Sequence, residues 1–75
     1  MHKVRNDEIM KIFGKNVLRV RLLRGMTQEQ LAEDAKISQV QVARIESGKL
    51  NTSISTLYAI ASALKVSECE FFKEN

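Results

Sequence analysis

Apolar residues recur along this chain at intervals of three and four and never alternate with polar ones over a run, so the pattern predicts an all-α fold. From Asp7 to Arg24, the residues Ile9, Ile12, Phe13, Val17 and Val20 share one helical face. Asp7 and Glu8 stand where a first turn favours acids, and Arg24 precedes Gly25 where a helix ends. Leu18, Leu22 and Leu23 widen this face beyond one stripe and call for cover by the last helix or a partner. Thr27 with Gln30 three residues on is a capping-box pattern, and Leu31, Ala32 and Ala35 form the inner face of a short second helix ending near Ala35 or Lys36. Ser38 offers the next N-cap, Val42 and Ile45 a buried face, and Ser47-Gly48 a stop with a left-handed glycine. After a polar loop, 49–53, the run Ile54, Leu57, Ile60, Ala61, Leu64 marks a fourth helix with Ser55 near its start, broken at Val66-Ser67. Ser67 with Glu70 repeats the capping-box pattern and opens a terminal helix; of its aromatics, Phe71 is assigned to the core and Phe72 is left open between core and interface.

Composition adds limits. Seventy-five residues make one domain, 1–75, with a modest core, so a homodimer is already plausible. The net charge of +3 favours an anionic partner, and it is concentrated: residues 1–24 carry a net +5 and the remainder is slightly acidic. Such a chain approaches phosphate with one edge. The first residues, 1–7, are a candidate flexible arm, and the basic stretch 1–12 reads either as an extra phosphate contact or as a solvated terminus. The single cysteine, Cys69, forms no internal disulfide, and with no secretory leader or apolar run of the roughly 20 residues a membrane span requires, the expected location is cytoplasmic. An enzyme is not expected. The only histidine is His2, Cys69 has no basic neighbour, and neither a Gly-rich phosphate loop nor metal-spaced ligands occur, so no cofactor and no metal are implied.

Two short helices joined by a tight turn, with a small residue, Ala32, where the second crosses the first, make the geometry of a helix-turn-helix over Thr27 to Glu46. The runs Gly25-x-Thr27-Gln28-x-x-Leu31-Ala32, Ile45-Glu46-x-Gly48-Lys49 and Leu57-x-x-Ile60-Ala61-x-x-Leu64, in register over about residues 13–72, resemble the phage repressor and Cro family of helix-turn-helix regulators. The fold that the resemblance implies is a five-helix, lambda-repressor-like domain. Two departures stand out: Lys36 occupies the turn position usually held by glycine, at a cost of roughly 1 kcal/mol for a left-handed residue with a Cβ, and the loop after Gly48 lacks the frequent proline.

The resemblance also assigns roles. Helix 3 lies in the major groove with Ser38, Gln39, Val40 and, one turn on, Ala43 and Arg44 at the base edges. The types suit the task, since Gln bonds adenine, Arg guanine, and Val the thymine methyl. Gln28 at the start of helix 2 touches the DNA backbone and braces helix 3, while Gln41 lies on the groove flank. Ser47, Lys49 and Asn51 after helix 3, with Lys15 or Asn16 in helix 1, are the further phosphate contacts. Arg21 and Glu46 are expected as a partly buried structural ion pair between helices 1 and 3. Tyr58 and Phe72, with Leu18 or Leu22, are the dimer-interface candidates. The implied function is a transcriptional regulator, phage-repressor-like or restriction-modification-controller-like, bound as a homodimer to a double-stranded DNA operator that is palindromic. RNA polymerase is a second candidate partner. An antitoxin or coactivator-type protein-interaction module with secondary DNA binding is the alternative.

Overall fold

The computed structural model describes residues 6–74, which carry four α-helices and a terminal 3-10 helix, with no strand among them. α1 (Asn6–Leu23) starts with Asp7 and Glu8 in its first turn and buries Phe13, Val17 and Val20, as their spacing requires. It already includes Asn6 and Asp7, so the candidate arm shortens to residues that lie outside those described. α2 (Gln28–Ala35) and α3 (Gln39–Glu46) each open on a complete capping box, Thr27 with Gln30 and Ser38 with Gln41. α4 (Ile54–Leu64) begins where the apolar run does, with Ser55 in its first turn, and is capped by Ser53, whose Oγ accepts from the Thr56 N–H. The fifth element, Glu68–Phe72, winds as a 3-10 helix. Ser67 caps it through the Cys69 N–H, because the tighter winding brings that donor, and not the one at Glu70, to the hydroxyl.

All four α-helices close in the same way. After α1 the Met26 N–H reaches the Arg21 carbonyl, after α2 Ile37 reaches Ala32, after α3 Lys49 reaches Arg44, and after α4 Val66 reaches Ala61. These 6→1 bonds define the Schellman motif, which needs a left-handed residue just before the donor. Glycine supplies it twice, at Gly25 and Gly48, and lysine twice, at Lys36 and Lys65, both with φ 60°. The expected left-handed turn at Lys36 is therefore present. Met26, Ile37 and Val66, the donors of three of these bonds, fold back onto the core.

The core collects Phe13, Val17 and Val20 from α1, Leu31, Ala32 and Ala35 from α2, Val42 and Ile45 from α3, Ile60, Ala61 and Leu64 from α4, and Phe71. Phe71 is fully buried and meets the Phe13 ring edge to face at 5.5 Å, while Phe72 stacks on the outer side of Phe13 at 5.9 Å. α1 packs on α3 and on the 3-10 helix, and α2 packs on α3 and α4. Leu22 and Leu23 stay exposed, since the terminal helix docks on another side of α1, around Asn16. Ile54, expected on the inner face of α4, is also exposed, standing in the first turn before the helix reaches the core. Among the described residues no helix is long and apolar enough to cross a membrane.

Candidate nucleic-acid interface

The candidate reading surface is the outward side of α3. Ser38 Oγ accepts from the Gln41 N–H and Gln41 Oε1 accepts from the Ser38 N–H, both at 3.0 Å, so two backbone donors at the helix start are satisfied locally. Both bonds lie within the first turn itself. With Val42 and Ile45 anchored in the core, Gln39, Val40, Ala43 and Arg44 all face outward. Val40, a β-branched hydrophobe, is 60% exposed, which places an apolar contact among polar ones on this face. A base-reading helix needs that mixture of hydrogen-bonding and methyl-contacting side chains.

Two contacts fix the angle of α3 against α1. Arg21 meets Glu46 through a fork, Nε to Oε2 at 2.6 Å and Nη2 to Oε1 at 3.1 Å, with side chains 10% and 4% exposed. Its remaining Nη1 donates to the Met26 carbonyl at 2.8 Å, and Gln28 Nε2 donates to Glu46 Oε1 at 2.9 Å. The buried carboxylate thus ties α1, the start of α2 and the end of α3 to one point. Bidentate geometry and the extra donors are what an ion pair out of water requires. Two helical turns before Arg21, on the same side of α1, Gly14 lies directly on α3: a Cβ there would stand 2.0 Å from the Ile45 carbonyl oxygen. The sequence reading found the Arg21–Glu46 pair through family likeness but passed over Gly14, whose only signal was a glycine inside a strong helical pattern.

The phosphate candidates divide. Ser47, Lys49 and Asn51 are exposed at the end of α3 and in the following loop. Ser47 Oγ donates to the Arg44 carbonyl, and Asn51 Oδ1 accepts from the Thr52 N–H, so both side chains also shape the turn. Lys15 is exposed, whereas Asn16 is buried at 4%. Asn16 Nδ2 donates to the carbonyls of Phe71 and Lys73 at 3.0 and 2.9 Å, and its Oδ1 accepts from Arg19 Nε. Its expected place at the DNA backbone is corrected: it anchors the C-terminal segment. Gln28 and Gln41 are half-buried and engaged in the bracing and capping bonds described above. Around Asn16, Arg19 pairs with Glu70 at 3.5 Å and Lys73 pairs with Glu70 at 2.9 Å. The Lys73 hydrogen bond, with the charges of Lys73 and Arg19, holds the Glu70 carboxyl below its ordinary range.

Of the interface candidates, Tyr58 is 63% and Phe72 42% exposed, and Leu18 is half-buried. Ile54, not singled out from the sequence for this role, is 84% exposed one helical turn before Tyr58. Among the described residues no group of three or more His, Cys, Asp or Glu side chains is placed to hold a metal ion.

Comparison with known proteins agrees with this geometry. A helix-turn-helix family model matches residues 17–71. An uncharacterised HTH-type transcriptional regulator of Sinorhizobium fredii is 36% identical over 63 residues, covering 84% of this chain and 82% of that one. The immunity repressor protein of Bacillus phage phi105 is 43% identical over 53 residues, 71% of this chain but only 37% of the repressor. The crystal structure of the restriction-modification controller protein C.AhdI from Aeromonas hydrophila superposes with a TM-score of 0.82 at 28% identity, over 84% of this chain and 96% of the controller.

Proposed function

Since this chain belongs to the helix-turn-helix family of transcriptional regulators and is related to restriction-modification controller proteins, we propose that it binds a palindromic double-stranded DNA operator as a homodimer. The observation that carries the proposal is the outward face of α3, with Gln39, Val40, Ala43 and Arg44 free of the core and held at a fixed angle by Arg21, Gln28 and Glu46. In this reading Gln39 and Arg44 bond purine edges in the major groove, Val40 and Ala43 contact methyl groups, and Ser38 lies at the groove floor. Lys15, Gln28, Gln41, Ser47, Lys49 and Asn51 line the phosphates on either side and contribute affinity without base preference.

Two copies meet through the exposed apolar residues of α4 and the C-terminus. Ile54 and Tyr58 sit on one side of α4, and Leu57 beside them lines a shallow groove with Phe72, Leu50 and Ile9. Pairing of these surfaces removes the apolar patch from water, and the two α3 helices then read half-sites about 34 Å apart. RNA polymerase is a partner only where the operator adjoins a promoter.

Selection of bound duplexes from a random pool, followed by titration of the selected duplex and of a random one, tests the reading. A twofold-symmetric consensus bound far more tightly than random DNA, by a particle sedimenting as two chains, is the expected result. Equal affinity for both duplexes, or a monomer at the concentrations that bind, overturns it.

A further inference from the structure

We infer that Lys11, in the first half of α1, is a further phosphate contact, carried to the DNA by the turn that ends the recognition helix. The inference rests on the DNA-binding reading above. Gly48 closes α3 with φ +77°, and a Cβ on it would lie 3.0 Å from Lys11 Cγ and 3.2 Å from Lys11 Cα. The first carbons of the lysine side chain therefore pack on the backbone of Gly48, the residue between Ser47 and Lys49. Lys11 is exposed, and among the described residues no carboxylate forms an ion pair with it. A long stem laid on a surface with its charged end in water has already given up part of its rotamer freedom. It then loses less on meeting a phosphate than a freely waving lysine would. Because Gly14, three residues on, rests on the Ile45 carbonyl, Lys11 moves with α3 as one body.

The placement supplies a reason for part of the positive charge of residues 1–24. Lys11 precedes the stretch matched by the helix-turn-helix family model, so this contact extends the interface beyond it. The phosphate track then runs from Lys49 over the Gly48 turn to the first half of α1. A competing role for Lys11 is to complement the carbonyl end of α3, where a cation is favourable. That role acts on folding and not on DNA.

The experiment measures log K against log salt concentration for the full chain, on a selected duplex and on a random duplex, alongside the urea unfolding midpoint. Lys11→Gln is expected to lower affinity for both duplexes by the same factor and to reduce the salt slope by about 0.9 for each chain bound. Lys11→Arg retains the slope, and Lys65→Gln, at the end of α4, leaves it unchanged. A Lys11→Gln slope equal to that of the unaltered protein overturns the inference, whether or not the midpoint falls. Absence of salt-sensitive binding by the unaltered protein is a different result, and it removes the DNA-binding reading together with the inference.

Discussion

Lys36 and Lys65 hold a backbone conformation that glycine adopts at no steric cost, and both are exposed at helix ends. Lys36→Gly trades relief of left-handed strain against the larger entropy of a glycine in the unfolded chain. With the strain at roughly 1 kcal/mol, the expected net change is within about 1 kcal/mol and stabilising, read as a higher urea midpoint. At Gln39 the expectation concerns recognition: Gln39→Ala costs about 1 to 3 kcal/mol at one base pair of the selected duplex and relaxes preference there, with little loss on random DNA. Asn16 separates a structural role from a phosphate role. Asn16→Ala leaves the carbonyls of Phe71 and Lys73 without this donor, at a cost of about 1 to 3 kcal/mol in unfolding free energy, while the salt slope of DNA binding stays unchanged. Glu70 contributes in a definite direction with pH. Its carboxyl is held below the ordinary value in the folded state, so its stabilisation is present above the unfolded pKa and is lost as pH falls through that value toward the depressed one. Glu70→Gln should lower the thermal midpoint at neutral pH and above, leave it unchanged at the acid extreme, and so flatten the acid side of the profile.

At the level of elements, the sequence declared what is local. Helix starts are legible at Thr27 and Ser38 because a capping box is two bonds within four residues. The inner faces of α2 and α3 are legible because three- and four-residue spacing is a direct image of helix geometry. What stayed hidden depends on chain segments far apart. Gly14 meets Ile45, 31 residues on, and Asn16 meets Phe71, 55 residues on. Ile54 fits the apolar period of α4, yet its position in the first turn carries it past the edge of the core. The terminal helix shows a related failure: the spacing of Ser67 and Glu70 suits an α-turn, but five residues closed by the burial of Phe71 wind as 3-10. The Arg21–Glu46 link is the element-level prediction. Arg21→Met strands Glu46 in a site 4% exposed and should cost about 3 to 5 kcal/mol, whereas replacing Arg21 and Glu46 together with apolar residues should recover much of the loss.

Over the whole molecule, the proposed DNA contacts and the surface proposed for pairing of two copies lie on different elements. Of the proposed contacts, Lys11, Lys15 and Lys49 belong to α1 and the turn after α3, whereas Ile54, Tyr58 and Phe72 belong to α4 and the C-terminus. Substitutions at the proposed DNA contacts and at the proposed pairing surface therefore fall on different residues. Ile54→Lys, in an exposed first turn, should leave folding within about 0.5 kcal/mol, raise the dissociation constant of the dimer and weaken operator binding more steeply than binding to random DNA. The direct seating of Gly14 on α3 has a further result. No side chain intervenes between the two helices there, so their spacing is independent of which residues occupy positions 39, 40, 43 and 44. In the proposed reading the mount and the text it carries are thus separable, and exchange of those four residues alone should change operator preference without re-engineering the scaffold that presents them.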